Sequence, residues 1–321
     1  MNSEDKTVST AKYKPPFFLS NAHIQTIIPS VFRKPAPPLY TRERIETPDR
    51  DFIDLDWSYI KAYRLAIISH GLEGNSSRAY VTGMVNALNN NGWDAVALNF
   101  RGCSGEPNRL LKSYHSGFTD DLALTIKHAK KKQMYNEIAL IGFSIGGNMT
   151  LVHLGRDKVD KIVKKAVVIS VPCDLKASAE SLAKFINKIY MKRFLKMFHG
   201  KIREKIAFMP DKLNDNNYSL IKNFKQFDDR YTAPIHGFKN ALDYWEQCNS
   251  RQFISNIKTK TLIINAKDDP FLSKSCYPVR ECEENPNVTL QTPESGGHVG
   301  FISFNKENIY WSETQAIEFL S

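Results

Sequence analysis

No stretch of this chain approaches the roughly 20 consecutive apolar residues that span a bilayer, and its 321 residues contain no C-x-x-C pair. The first absence argues against a membrane-embedded class. The second leaves five scattered cysteines, Cys103, Cys173, Cys248, Cys276 and Cys282. An odd, scattered set argues against a disulfide framework or a structural metal site and favours a reducing compartment. Neither G-x-x-x-x-G-K-[ST] nor G-x-G-x-x-G occurs, so the glycine-rich phosphate loops of nucleotide-binding folds are missing. There is no internal repeat and no low-complexity segment. The N-terminus carries Glu4 and Asp5, then Pro15-Pro16 before any apolar segment, which is not the layout of a secretory leader. The expected location is cytoplasmic. With 42% hydrophobic and 24% charged residues, the composition is that of a folded globular chain.

What is present is more telling. Glu137-Ile138-Ala139-Leu140-Ile141 is a short apolar run of the kind found in a buried parallel strand. Asn148 to Leu154 can continue as a helix. Between them lies Gly142-Phe143-Ser144-Ile145-Gly146, a G-x-S-x-G turn with a serine at its apex. The glycines are needed sterically, because a turn this tight brings backbone into contact where side chains would collide. A serine so placed is a candidate nucleophile, but it needs a base, an acid to orient the base, and donors for an oxyanion.

The chain order Ser, Asp or Glu, His is that of α/β-hydrolases, and the C-terminal part supplies it. The strand candidate Thr261–Ala266 runs into Lys267-Asp268-Asp269-Pro270, and Val288–Gln291 is followed by Glu294-Ser295-Gly296-Gly297-His298-Val299-Gly300. His298 is the candidate base. Asp269 is favoured over Asp268 as the acid, because Pro270 biases the residue before it to an extended conformation; Asp174 is an outside candidate. The strand Leu65–Ser69 is followed by His70-Gly71-Leu72-Glu73-Gly74. The expected oxyanion donors are the backbone N–H groups of Leu72 and Ile145. His70 precedes the serine, the wrong order for a base, and is expected to support the loop.

Several runs together resemble the YheT-like branch of the α/β-hydrolase superfamily. They are Asn21-Ala22-His23-Ile24-Gln25-Thr26, His70-Gly71-Leu72-Glu73-Gly74, Arg101-Gly102-Cys103-Ser104-Gly105-Glu106-Pro107-Asn108-Arg109, Tyr114-His115-Ser116-Gly117, the serine turn itself, Asn265-Ala266-Lys267-Asp268-Asp269-Pro270-Phe271 and Gly296-Gly297-His298. The Arg101–Arg109 run is far more specific than the serine turn. The resemblance implies Ser144, Asp269 and His298 as a catalytic triad. It also implies activity on esters, monoacylglycerols or phospholipids, by hydrolysis or acyl transfer.

Strand and helix signals alternate from Leu65 onward, after a hairpin around Pro48-Asp49. The expected fold is therefore α/β: an α/β-hydrolase fold with a mostly parallel, doubly wound sheet, an N-terminal antiparallel hairpin and a helical lid insertion. The expected division is an extended, proline-rich arm over residues 1–40, a core over 41–175 and 257–321, and a lid over 176–256. In the lid, Leu182, Phe185, Ile186, Ile189, Tyr190, Phe194 and Phe198 recur near helical spacing, with Lys184, Lys188, Lys192 and Lys196 interleaved. The formal charge of +10 is concentrated there: ten Lys/Arg against three acids lie between Leu175 and Lys212. No nucleic-acid recognition motif accompanies them, so a peripheral contact with anionic membrane is the expected partner and nucleic acid is not. The expected function is a serine esterase acting on a small ester, short- to medium-chain or lipid-like, with no metal or cofactor. The alternatives are an acyltransferase with the same triad and a non-catalytic lipid- or ligand-binding protein.

Overall fold

In a computed structural model, whose described residues are 8–9 and 12–321, the run Leu65–Ile68 sends alternate side chains to opposite faces of a sheet. Leu65 and Ile67 enter one core cluster, Ala66 and Ile68 the other. A strand apolar on both faces belongs mid-sheet, between two helical layers. This strand is β4 (Arg64–Ser69); the others are β1 (Val8–Ser9), β2 (Thr41–Glu46), β3 (Phe52–Ser58), β5 (Asp94–Asn99), β6 (Glu137–Phe143), β7 (Val163–Ile169), β8 (Lys260–Ile264) and β9 (Val288–Gln291). Their order is β1-β9-β8-β7-β6-β4-β5-β3-β2, and among these strands only β3 runs against the rest.

The helices are α1 (Ala22–Phe32), α2 (Ala79–Asn90), α3 (Asp120–Lys131), α4 (Ile145–Arg156), α5 (Leu175–Ala183), α6 (Lys188–Phe208), α7 (Phe224–Phe227), α8 (Ala233–His236), α9 (Ala241–Cys248), α10 (Val279–Glu283) and α11 (Trp311–Leu320). Helices α3 and α4 supply Leu122, Ile126, Met149 and Leu151 to one face of the sheet. Helices α2 and α11 supply Val81, Met84, Leu88 and Leu320 to the other. No helix among the described residues is long and apolar enough to cross a membrane.

From β4 the chain passes to β5 on one side, and from β6 to β7 on the other, although β4 and β6 are neighbours. The connections diverge there and leave a crevice outside the carboxyl ends of β4 and β6. In open α/β sheets that crevice is where ligands bind.

Two local expectations differ from the structure. The arm is not extended throughout: Asn21 accepts from the His23 and Ile24 amides and starts helix α1. Residues 1–7, 10 and 11 of the expected arm lie outside the described residues. The apolar recurrence from Leu182 to Phe198 is also not one helical face. Asn187 donates to the carbonyls of Ser181 (2.9 Å) and Pro270 (2.7 Å), and the helix breaks at the short turn Phe185–Asn187. Leu182 and Tyr190 are buried, whereas Phe185, Ile186 and Ile189 are 88%, 66% and 67% exposed.

The Arg101–Arg109 run proves to be a fastening. The buried Arg101 guanidinium grips both oxygens of Asp121 (2.9 and 2.8 Å) and reaches Asp49 in the β2–β3 turn (2.6 Å). Asn108 donates to Asp51 (2.5 Å) and Arg109 to Glu46 (2.6 Å). The loop after β5 is thereby tied to the hairpin. Breaking such a buried pair from one side costs about 3–5 kcal/mol.

Candidate active site

Ser144 stands between β6 and α4 with φ 53° and ψ −120°, a conformation that costs on the order of 1–3 kcal/mol for a residue with a side chain. The surrounding glycines make it attainable. A Cβ on Gly146 would lie 2.4 Å from the His70 carbonyl oxygen, and one on Gly142 would lie 2.6 Å from the Gly147 Cα. The Ser144 amide is held by the Ile169 carbonyl (2.9 Å). The hydroxyl is left to point away from the backbone into the crevice.

There it meets His298, whose Nε2 is 3.0 Å from the Ser144 Oγ, while the Nδ1 is 2.8 Å from the Asp269 Oδ2. A carboxylate at Nδ1 selects the tautomer protonated on that nitrogen. The Nε2 lone pair is then free to accept from the serine hydroxyl. Asp269 is buried, and its other oxygen accepts from the Phe271 amide (2.9 Å). Asp268 does not reach the imidazole. It accepts from the Gly297 amide (2.9 Å), inside the histidine loop. Burial pushes the Asp268 carboxyl above its ordinary range. Asp174 caps helix α5 through the Ala177 amide (3.0 Å) and makes no hydrogen bond to His298.

The loop after β4 brings one free amide to the same place, and the start of α4 brings another. Gly71 packs against Ser144: a Cβ on it would lie 3.3 Å from the Ser144 Cβ. The Gly71 amide donates to the Tyr80 hydroxyl (2.9 Å) and the Glu73 amide to the Tyr114 hydroxyl (3.0 Å). Between them the Leu72 amide has no acceptor among the described residues, and neither has the Ile145 amide at the start of α4. Two free donors beside a serine hydroxyl can hold an oxygen that gains negative charge. His70 lies under this loop. Its Nε2 accepts from the Phe100 amide (3.1 Å) and its Nδ1–H donates to the Gly71 carbonyl (2.7 Å).

Sequence reasoning assigned no role to several residues that shape the site. The Thr26 hydroxyl accepts from the His298 amide (2.9 Å), and the buried Gln25 accepts from the Ile302 amide (3.1 Å). Gly297, at φ +57°, packs so closely on α1 that a Cβ would lie 2.6 Å from the Ala22 carbonyl oxygen. Ser170 accepts from the Val299 amide (2.9 Å). The histidine loop is thus clamped from both sides, by α1 and by the end of β7. The Asn21–Thr26 run was the signal available, but its partners lie more than 270 residues away.

Ser144 and His298 line two cavities. One, of about 170 Å³, runs between α1 and α6 past Ile27, Tyr80 and Arg193. The second, of about 100 Å³, is walled by Leu175, Ala179, Phe194 and Phe271 and by no exposed residue. A third, of about 120 Å³, shares Leu72 and Ile145 with the second but does not reach Ser144. Among the described residues no group of three or more His, Cys, Asp or Glu is placed to hold a metal ion. All five cysteines are buried free thiols.

Three histidines, His70 buried and His115 and His236 largely enclosed, give the fold an acid limit. Burial lowers His70 to about 3 and His236 to about 4, and holds His115 well below its ordinary value. In the unfolded chain each titrates near 6.5. As pH falls from about 6.5 toward 4 the unfolded chain takes up protons that the folded one does not. Stability present above 6.5 is therefore lost at about 1.4 kcal/mol per pH unit per histidine. His236→Phe is expected to shrink the drop in thermal midpoint between pH 7 and pH 5. An unchanged drop would show that His236 is protonated in the folded protein.

The order of the sheet, the serine turn after β6 and a histidine loop after β9 define a hydrolase of the α/β type. A family model of the alpha/beta hydrolase fold matches residues 67–304, and the chain belongs to that family. Among curated relatives, YheT of Escherichia coli is 38% identical over 301 residues, which is 92% of this chain and 88% of that one. Phospholipase ABHD3 of Homo sapiens is 28% identical over 306 residues, 92% of this chain and 75% of that protein. Among solved structures the Pyrococcus furiosus esterase Pf2001 superposes with a TM-score of 0.59 at 20% identity, covering 88% of this chain and 91% of that one.

Proposed function

We propose that this protein is a carboxylic ester hydrolase in which Ser144 is the nucleophile, His298 the general base and then acid, and Asp269 the group that orients the imidazole. The observation that carries the reading is the unbroken line Asp269–His298–Ser144, at 2.8 and 3.0 Å, ending beside two free amides. His298 takes the serine proton as Oγ attacks the ester carbonyl. The Leu72 and Ile145 amides hold the oxyanion, each donor being worth on the order of 10²–10³ in rate. The imidazolium returns its proton to the leaving alcohol, and water then cleaves the acyl-enzyme by the same steps reversed.

The two cavities divide the ester between them. The cavity of about 100 Å³ with no exposed wall takes the acyl group, which stays bonded to Ser144 after the alcohol has gone. An apolar cavity of about 150 Å³ accepts benzene, so this one favours short acyl chains. The larger cleft has the exposed Ile27 and Arg193 on its rim and is the path of the alcohol. Residues 176–256 act as the lid over a core formed by 41–175 and 257–321. Residues 12–40, the described part of the arm apart from 8–9, complete the site through the α1 clamp.

The deciding experiment is hydrolysis of p-nitrophenyl esters from acetyl to palmitoyl, with Ser144→Ala as background. Serine-dependent activity with a short-chain optimum is the expected result. Equal, negligible rates for both proteins would favour a ligand-binding role. Ethyl ester formation in added ethanol would mark the acyltransferase.

The exposed apolar residues around the cleft support a lipid-surface contact. Helix α1 presents Ile24, Ile27 and Val31, and Phe185, Ile186 and Ile189 precede or open α6. The two meet where His23 Nδ1 lies 3.0 Å from the Tyr190 hydroxyl. From Lys184 to Arg203 there are seven cations and no acid. Clusters of exposed apolar side chains of this kind mark contact surfaces, and the cations favour an anionic bilayer as the partner. Replacing Lys184, Lys188, Lys192 and Lys196 with Gln should weaken binding to phosphatidylserine vesicles on the order of 10³-fold, at about 1 kcal/mol per lysine. Hydrolysis of p-nitrophenyl acetate should be unaffected. Unchanged co-sedimentation would remove the membrane from the account.

A further inference from the structure

The acyl cavity is not apolar throughout. Part of its wall is Asp228, which also lines the third cavity together with Leu72, Ile145, Phe198 and Tyr244. Asp228 therefore sits in the partition between the chamber that touches Ser144 and the one that does not. It opens a π-helical turn, Asp228–Thr232, wedged between α7 and α8. Such turns widen a helix by one residue and recur at functional sites.

The surroundings of this carboxyl are unusual. Oδ1 accepts from the Thr232 hydroxyl (2.6 Å) and Oδ2 from the Trp245 indole N–H (2.9 Å). Among the described residues no Lys, Arg or His lies within ion-pairing distance of it. The neighbouring Asp229 instead pairs with Lys225 (2.7 Å) and accepts from the Ala241 amide (2.7 Å). Burial raises the Asp228 carboxyl to about 7. The group is enclosed by protein, yet the residue keeps some accessible surface and lines both cavities. A buried carboxyl without a cation is costly to keep. Each oxygen retains a lone pair beyond the one already engaged.

We propose that Asp228 is a specificity residue: it receives a hydrogen-bond donor carried on the acyl half of the substrate, so the preferred esters bear a hydroxyl or ammonium group some carbons from the carbonyl. This rests on the assignment of that cavity to the acyl group. An acyl chain without a donor leaves the carboxyl half-satisfied in apolar surroundings, and sites built to bond a polar group discriminate strongly against analogues that lack it. A hydrogen bond to a charged group corresponds to on the order of a tenfold to a hundredfold preference.

The test compares kcat/KM for p-nitrophenyl esters in matched pairs: butanoyl with 3-hydroxybutanoyl, and hexanoyl with 3-hydroxyhexanoyl, 6-hydroxyhexanoyl and 6-aminohexanoyl. The wild-type protein should favour at least one substituted ester by tenfold or more, and whether hydroxyl or ammonium wins identifies the donor. Asp228→Leu should bring that ratio to about one. Asp228→Asn, which keeps the volume and can still accept from Trp245, should lower it, and guards against a misfolded Leu variant. Thermal midpoints and labelling of Ser144 by a fluorophosphonate check that each variant is folded. No preference in the wild type, or the same preference in both variants, would overturn the proposal while leaving ester hydrolysis standing. Absence of Ser144-dependent hydrolysis on every ester would instead overturn the hydrolase reading.

Discussion

Ser144→Ala is expected to fold like the wild type and to lose on the order of 10⁶ in kcat, the effect of deleting a serine nucleophile from a complete set. The Oγ makes one side-chain hydrogen bond, to His298, so its removal leaves no buried partner but an imidazole that water can reach. The backbone need not move, because the φ of 53° at this position is held by the glycines around it and by the Ile169 carbonyl. Matched thermal midpoints with and without the hydroxyl would show the fold intact. Retention of more than about one part in a hundred of the activity would exclude Ser144 as nucleophile, since the oxyanion site alone leaves only about 10³–10⁴ over water.

The adjacent aspartates offer the second large effect. Asp269→Asn should cost about 10⁴ in kcat, because an amide N–H facing Nδ1 favours the tautomer that cannot take the serine proton. Asp268→Ala removes the acceptor of the Gly297 amide instead. It should act mainly on stability, by about 1.5–3 kcal/mol for a hydrogen bond to a charged group, with a far smaller change in rate. Asp268 is then a positioning residue. The two variants separate the roles cleanly: equal losses of kcat would mean that the pair orients His298 jointly.

Apart from the family resemblance, which aspartate faces the histidine was legible only through Pro270, a bias on one backbone angle. The structure settles the geometry by a different route. The Asp269 amide closes a tight turn on the Ala266 carbonyl (3.2 Å), which turns its side chain inward while Asp268 reaches the histidine loop. The Arg101–Arg109 run shows the opposite case. It is far more specific than the serine turn, yet its arginines fasten a loop to a hairpin and make no hydrogen bond to Ser144, Asp269 or His298. A motif that identifies a family need not hold its chemistry. The lid helix failed as a single amphipathic face because periodicity ignores what a neighbouring loop does. The carbonyls that break it at Asn187 belong to Ser181 and to Pro270, the latter 83 residues away.

The sequence by itself determined what is local. The serine turn follows from a strand, two glycines and a helix within twenty residues. The alternation of strands and helices, the hairpin and the concentration of positive charge between Leu175 and Lys212 are likewise written in short windows. Only the tertiary structure decided what depends on distant partners. Ser144 and His298 are 154 residues apart, and Thr26 is 272 from the histidine whose amide it holds. The free amides at Leu72 and Ile145, the clamp from α1, the exposure of Phe185 and Ile186, and the unpaired carboxyl of Asp228 all arise where separate segments meet. Backbone preferences act over a few residues, whereas a site is a set of contacts closed by the sheet.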